Sequence, residues 1–201
     1  MHEVLEYYRT RIDASDVLVR TGLTANAYFL VSAHREENVD SPLRLQALLD
    51  CLTAVRDRWA LPILVSTHPR TRQRLSRLGA SVDLSGITFH EPFGFHDYNH
   101  LQMNARCVLS DSGTISEESS ILAFPAITLR SSIERPEALD TGSILMTGLR
   151  PDSVLAGIDA AVHDHKFLDV PQDYQPIDCS IRVRNFILST AFEHAMWAGL
   201  R

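Results

Sequence analysis

Short segments that are apolar throughout alternate along the chain with longer segments in which apolar residues recur every three or four positions. The fully apolar segments predict strands at residues 28–33, 62–66, 87–90, 107–109, 126–129 and 144–147. The periodic segments predict helices at residues 43–59, 69–78, 97–104, 115–122 and 151–162. Strands without polar alternation are typical of a parallel sheet covered by helices on both faces. The pattern therefore predicts an α/β fold with a doubly wound, Rossmann-like parallel sheet.

Two flanking segments fall outside this alternation. Residues 1–24 read as a helical N-terminal segment, residues 25–165 as the Rossmann-like domain, and residues 166–201 as a C-terminal segment. The last of these carries a long helical pattern at residues 178–200. Because neither flank belongs to the βα repeat, we expect both of them to pack on a neighbouring domain.

Charge and cysteine usage exclude several classes of protein. The 201 residues include 19 basic and 25 acidic side chains, a formal charge of −6, without the basic excess expected of a nucleic-acid binder. The arginines between residues 70 and 77 read best as a solvated helix face. Three widely spaced cysteines without a C-x-x-C pair favour a reducing compartment. The apolar runs are too short to span a membrane and no signal-peptide core is present, so we expect a cytoplasmic location.

Polar side chains follow the predicted strands at their carboxyl ends, where ligands bind in sheets of this type. His34 and Arg35 come directly after the first strand. A histidine there could transfer protons, and an arginine could hold a phosphate. The segment could equally be a polar loop that caps the next helix through Asn38, Asp40 or Ser41.

The fourth strand runs through a turn of small residues into a helix. Gly113 allows a ligand to approach the backbone, while Ser112 and Thr114 add hydroxyls beside the helix N-terminus, as a diphosphate requires. Glu118 lies one turn into this helix and could accept hydrogen bonds from ribose hydroxyls. The alternative is an ordinary helix start, in which Glu117 and Glu118 complement the helix dipole.

The remaining strand ends offer weaker signals. His68 stands at the start of a predicted helix, Phe93 could form the wall of a site for a flat base, and Arg135 could face a phosphate. Their alternatives are a loop histidine, a core aromatic residue and a surface ion pair. A metal site built from His90, His96 and His100 is a further idea, but no carboxylate motif completes it, so we expect neither a metal nor a cofactor.

Four motifs in this order resemble the nonhydrolysing UDP-N-acetylglucosamine 2-epimerases over residues 28–165. They are His34-Arg35-Glu36-Glu37-Asn38, Pro92-Phe93, Asp111-Ser112-Gly113-Thr114-Ile115-Ser116-Glu117-Glu118 and Glu134-Arg135-Pro136-Glu137. The resemblance implies one half of a GT-B-like two-domain fold with the active site between the domains. It also implies inversion at C2 of a UDP-sugar through elimination and re-addition of UDP.

The resemblance also implies roles for single residues. His34 matches the catalytic histidine, close to the departing diphosphate. Ser112 and Gly113 match the diphosphate turn, Glu118 the ribose ligand, Phe93 the residue whose backbone contacts the uracil, Arg135 an arginine near the phosphates, and His68 a contact on the nucleotide side. Arg35 and Thr114, which their chemistry at the strand ends suggests as phosphate contacts, complete the expected UDP-sugar site.

The sequence departs from the usual family pattern in its motifs and its length. Glu36 replaces the second arginine of the first motif and Thr114 the second glycine of the turn, as in the branch that forms UDP-N-acetyl-L-fucosamine. The family's N-terminal domain, with its C2 acid and base carboxylates, has no counterpart here. The resemblance implies a homodimer for the full-length enzyme. Because the C2 carboxylates are missing, we expect the isolated chain to be inactive. A GT-B glycosyltransferase and a non-catalytic UDP-sugar-binding module are the alternatives.

Overall fold

The computed structural model describes residues 1–35, 41–67, 83–133, 136–164 and 169–200. Within these residues, six short strands form one sheet in which all neighbouring strands are parallel. The strands are β1 (Phe29–Ser32), β2 (Ile63–Ser66), β3 (Ile87–His90), β4 (Cys107–Ser110), β5 (Ala126–Thr128) and β6 (Leu145–Met146). Each lies within or beside a segment that the apolar pattern predicts as a strand, and the α/β class is confirmed.

The order of the strands across the sheet is β3-β2-β1-β4-β5-β6. The chain moves outward from β1 to β3 and then crosses back to start β4 on the other side of β1. Ser32 and Ser110, the last residues of β1 and β4, are level with each other in the register. Such a reversal leaves a crevice beyond the carboxyl ends of the two central strands, which is where this fold binds ligands.

Helices cover both faces of this sheet. They are α1 (His2–Asp13), α2 (Val17–Thr21), α3 (Pro42–Trp59), α4 (Phe95–Asn104), α5 (Ile115–Leu122), α6 (Glu137–Asp140), α7 (Pro151–Asp164), α8 (Cys179–Thr190) and α9 (His194–Trp197). On one face α3 packs against α7, and on the other α1 packs against α4 and α5.

The two layers of helices explain why the strands are apolar throughout. Successive side chains of a strand point to opposite faces of a sheet. Phe29 and Val31 belong to the apolar cluster beneath α3 and α7. Tyr28 and Leu30 belong to the cluster formed with α1, α4 and α5. Since both faces are buried, neither set of positions can be polar.

The N-terminal helices pack on this domain itself, a contact that the sequence did not indicate. Leu5 and Ile12 of α1 are fully buried in the apolar cluster that also contains Leu101 of α4. The helical pattern of residues 1–24 was read correctly, but periodicity does not reveal which surface a helix covers. The domain boundaries at residues 24 and 165 remain predictions.

The C-terminal pattern is divided into α8 and α9, and no residue of either helix is buried. The surface of these helices and the residues next to them is strongly apolar. Its exposed large side chains are Ile181, Val183, Phe186, Ile187, Leu188, Phe192, Met196, Trp197 and Leu200. No helix in the described part of the chain is both long enough and apolar enough to cross a membrane. The helix predicted at residues 69–78 lies outside the described residues.

Candidate nucleotide site

A buried carboxylate joins the loops that follow the two central strands. Asp111 follows β4 and is fully buried, and both of its oxygens lie 3.1 Å from the backbone nitrogen of His34, which follows β1. The backbone N–H of Arg35 also donates to Asp111, at 3.0 Å. Hydrogen bonds to an ionised acceptor are the strong ones. Asp111 therefore fixes the path of the chain at the point where it carries two candidate site residues.

The same carboxylate orients the His34 ring. Nδ1 of His34 lies 3.3 Å from Oδ1 of Asp111, and the side chain of His34 is 47% exposed. Ser32 Oγ is also near this nitrogen, at 3.5 Å. An ionised carboxylate can only accept, so this geometry suits a tautomer with the hydrogen on Nδ1. The opposite nitrogen, Nε2, is then the one that a ligand in the crevice can reach.

Residues 111–114 form a polar turn that leads from β4 into α5. The backbone N–H of Ser112 donates to Ser110 Oγ at 3.1 Å, and that of Thr114 donates to Ser112 Oγ at 3.3 Å. The hydroxyls of Ser112 and Thr114 lie 3.0 Å apart. The turn is thus ordered by its own side chains at the helix end whose partial charge is positive, and that end favours anions.

At Gly113 the turn is open to a ligand, and the positively charged side chain of Arg35 lies beside it. Among the described residues, a Cβ placed on Gly113 would meet only Arg35 Nη2 within 4 Å, at a distance of 3.8 Å. A guanidinium recognises phosphate oxygens through several N–H donors in one plane. The absent side chain, the helix N-terminus and Arg35 together make a place for an anionic group.

Glu118 lies in the first turn of α5 and is half-buried. Its Oε2 accepts a hydrogen bond of 2.7 Å from Nε2 of Gln102, a fully buried residue of α4. Tyr98 lies one turn earlier on α4. Burial raises the pKa of its phenol, the interaction with the Ser32 side chain opposes this shift, and the charges of Glu118 and Asp111 add to it. Tyr98 is therefore a neutral hydroxyl beside two carboxylates.

Phe93 lies in the loop after β3, two strands away from β1 in the sheet. Its ring stacks on that of His90, with centroids 4.1 Å apart and 10° between the planes. Nδ1 of His90 lies 2.7 Å from the carbonyl oxygen of Glu91, which holds the imidazole in place. Phe93 also packs against the core, and this contact restrains its backbone.

Other candidates lie apart from this crevice or outside the described residues. His68 and Arg135 belong to the second group. The three histidines of the suggested metal site have separate partners: His90 stacks on Phe93, His96 packs against Tyr8, and His100 bonds to the carbonyl oxygen of Ile12 at 2.8 Å. No three His, Cys, Asp or Glu side chains in the described part of the chain are grouped so that they could hold a metal ion.

Sequence reasoning assigned no role to Asp111, Tyr98 or Gln102. The signal for Asp111 was its position directly after a fully apolar strand, where a carboxylate has little access to water. The signal on α4 was weaker: Tyr98 and Gln102 are four residues apart and so share a helix face, and Tyr98 lies three residues before the buried Leu101. A polar residue on a buried helix face needs a polar partner, which the sequence does not identify.

A family model described as UDP-N-acetylglucosamine 2-epimerase matches residues 1–187. The chain is 34% identical over 135 residues to the UDP-N-acetylglucosamine 2-epimerase of Methanocaldococcus jannaschii, and the aligned region covers 66% of this chain and 37% of that protein. The solved UDP-N-acetylglucosamine 2-epimerase of Rickettsia bellii is 38% identical, with a TM-score of 0.86 over 96% of this chain and 53% of that one. The M. jannaschii enzyme solved with UDP-GlcNAc and UDP is 25% identical, with a TM-score of 0.81 over 94% and 52%. The chain thus spans about half the length of the solved relatives.

Proposed function

The chain belongs to the UDP-N-acetylglucosamine 2-epimerase family, and we propose that it forms the nucleotide-binding half of a UDP-sugar 2-epimerase. The observation that carries the proposal is the crevice between β1 and β4. There, the open side of Gly113 and the guanidinium of Arg35 adjoin a helix N-terminus, next to a half-exposed His34. A diphosphate fits this set because it is anionic and needs donors at close range.

The other parts of a UDP-sugar follow from this placement of the diphosphate. Glu118, one turn into α5, accepts hydrogen bonds from the ribose hydroxyls, and the backbone at Phe93 contacts the uracil. The stacked rings of His90 and Phe93 support this assignment because they hold that loop against the core. Arg135 and His68 are further ligand residues, proposed from the family motifs alone.

The proposed reaction has two steps. A base removes the proton from C2 of the sugar, the C1–O bond breaks with its electron pair leaving on UDP, and a C1=C2 double bond forms. UDP then attacks C1 again while an acid returns a proton to the opposite face of C2. His34 acts at the diphosphate, where negative charge develops on the oxygen of the departing UDP. Asp111 keeps the His34 ring oriented toward that oxygen.

The acid and base at C2 come from a second domain that this chain does not contain. Support for such a domain comes from the solved relatives, of which this chain covers about half, and from the apolar surface of α8 and α9. We propose that this surface packs on the second domain, that the full enzyme is a cytoplasmic homodimer, and that the isolated chain binds UDP without turnover. Glu36 and Thr114 favour a substrate of the UDP-N-acetyl-L-fucosamine branch.

Two measurements test the proposal. Calorimetry should show saturable binding of UDP to the 201-residue chain, weakened by Arg35→Ala and unaffected by Arg9→Ala, which removes an exposed arginine paired with Asp13 on α1. In a protein that also contains the second domain, incubation of the UDP-sugar in D₂O should place deuterium at C2. A glycosyltransferase would leave the C2–H bond intact. Transfer of the sugar to an acceptor without deuterium at C2 would therefore show that the protein is a glycosyltransferase and not an epimerase.

A further inference from the structure

We propose that Gln102 is a positioning residue for the nucleotide: it holds the Glu118 carboxylate in the orientation that receives the ribose. This inference rests on the proposed function, since it takes Glu118 as a nucleotide ligand. Gln102 belongs to α4, whereas Glu118 belongs to α5, so the contact joins two helices on one face of the sheet.

The first support is the geometry of the contact. Nε2 of Gln102 lies 2.7 Å from Oε2 of Glu118, a short distance for a bond between an amide and a carboxylate. Gln102 is fully buried and cannot exchange this partner for water, while Glu118 is half-buried and keeps part of its surface exposed. The bond therefore restrains the carboxylate from its buried side.

The second support is that, within the described part of the chain, the Gln102 side chain has an unsatisfied polar atom, which destabilises the fold. Oε1 of Gln102 is buried and has no hydrogen-bond partner among the described residues. An unsatisfied buried polar atom is destabilising, and an apolar side chain of similar size would avoid the penalty. If this position served only packing, an apolar side chain would therefore be more stable there than glutamine. The amide has a function if it orients a carboxylate that binds the ligand.

The third support is the shared face of α4. Tyr98 lies one turn before Gln102 on the same face and is close enough to Ser32, the last residue of β1, and to Glu118 for both residues to affect the pKa of its phenol. This face of α4 therefore adjoins the end of β1 as well as α5. A glutamate has several rotatable bonds, and fixing them before the ligand arrives removes an entropic penalty from binding.

The test compares Gln102→Met with the wild-type 201-residue chain by calorimetry. Met has nearly the same length but no amide, so the restraint on Glu118 disappears while the volume is kept. UDP affinity should fall about threefold to tenfold, the usual effect of one hydrogen bond. Affinity for inorganic pyrophosphate, which has no ribose, should stay unchanged. Gln46→Met is the matched control because it removes a similar bond of 2.8 Å to Asp50 on the exposed side of α3.

Two further variants distinguish a positioning role of Gln102 from a general destabilisation of the fold. If the two residues act as a unit, Gln102→Met should add little to the loss of UDP affinity that Glu118→Ala already causes. Gln102→Glu places two carboxylates side by side, which must share a proton. Its deficit in UDP affinity relative to the wild type should therefore grow as the pH rises.

Several outcomes would overturn this role. They are unchanged UDP affinity in Gln102→Met, an equal loss of pyrophosphate binding, full additivity with Glu118→Ala, and a deficit of Gln102→Glu that does not depend on pH. A wild-type chain that binds no UDP would instead refute the proposed function itself, so the two failures are distinguishable.

Discussion

The carboxylate of Asp111 holds His34 twice, by its backbone N–H at 3.1 Å and by ring atom Nδ1 at 3.3 Å. The two residues are 77 positions apart in the chain and meet because β1 and β4 are neighbours in the sheet. His34 is therefore held in place by a residue with no exposed surface of its own.

Replacement of Asp111 by Asn should destabilise the fold as well as misplace His34. The amide keeps one acceptor oxygen but turns an NH₂ group toward the backbone donors of residues 34 and 35, which leaves buried donors without partners. We expect a loss of about 1–3 kcal/mol in the free energy of unfolding, measured by urea denaturation. Asp169→Asn is the control, since Asp169 is exposed. Equal stability of the two variants would show that the hydrogen bonds between Asp111 and the backbone of residues 34 and 35 contribute nothing to the stability of the fold.

Side chains at Gly113 should block the nucleotide without harming the fold. The space around its Cβ position is open apart from Arg35 Nη2 at 3.8 Å, and its backbone φ is not in the left-handed region. Gly113→Ala should weaken UDP binding, and Gly113→Val should abolish it, because the added methyl groups occupy the proposed phosphate position. Calorimetry and thermal unfolding on the same samples test this. Normal UDP affinity in Gly113→Val would show that the phosphate lies elsewhere.

His34 and Glu118 should fail in different ways in a protein that contains both domains. His34→Ala should lower kcat by about 10²-fold or more, the usual scale for losing an acid, base or charge-stabilising group. Its UDP affinity should change little, because the turn and Glu118 remain. Glu118→Ala should instead weaken UDP binding by about 1.5–3 kcal/mol through lost charge-assisted hydrogen bonds.

Steady-state kinetics and UDP calorimetry on the same preparations separate these two effects. A His34→Ala enzyme with near-normal kcat would contradict the assigned roles. So would one that loses UDP binding as severely as Glu118→Ala.

Gly157→Ala should be destabilising although alanine usually strengthens a helix. A Cβ at this position of α7 would lie 2.5 Å from Thr147 Cγ2. Thr147 cannot easily turn away, because its hydroxyl is 3.3 Å from the carbonyl oxygen of Thr128 and 3.1 Å from that of Gly148. We expect a loss of about 1–3 kcal/mol by urea denaturation.

The matched rescue for this clash is Thr147→Ser, which removes Cγ2 and keeps the hydroxyl. The double variant Gly157→Ala/Thr147→Ser should recover most of the stability lost by Gly157→Ala. A single variant as stable as the wild type would show that β6 and α7 can move apart at little cost.

The C-terminal helix should contribute little to the stability of the isolated chain. Phe186 of α8 is 68% exposed, so Phe186→Ala should change the free energy of unfolding by no more than about 0.5 kcal/mol. Leu52→Ala in the core should cost about 2–5 kcal/mol by comparison. In a protein that contains both domains, Phe186→Ala should become destabilising if α8 packs on the second one. A large effect in the isolated chain would show that α8 already has a partner there.

The sequence by itself determined the class of the fold and the local form of the site. Fully apolar strands alternating with amphipathic helices predict a sheet covered on both faces, because only burial on both sides excludes polar residues from a strand. The turn at Ser112 and Gly113 was also predictable from the sequence, since its hydrogen bonds join residues two positions apart. These features depend on neighbours in the chain.

Only the tertiary structure decided which distant residues meet. The clamp between Asp111 and His34 depends on the strand order, and the bond from Gln102 to Glu118 depends on how α4 packs beside α5. It also decided that α1 packs on this domain, with Leu5 and Ile12 buried in its core. The physical reason is that periodicity shows which face of an element is buried, while the packing of the whole chain selects the surface or polar group that meets it.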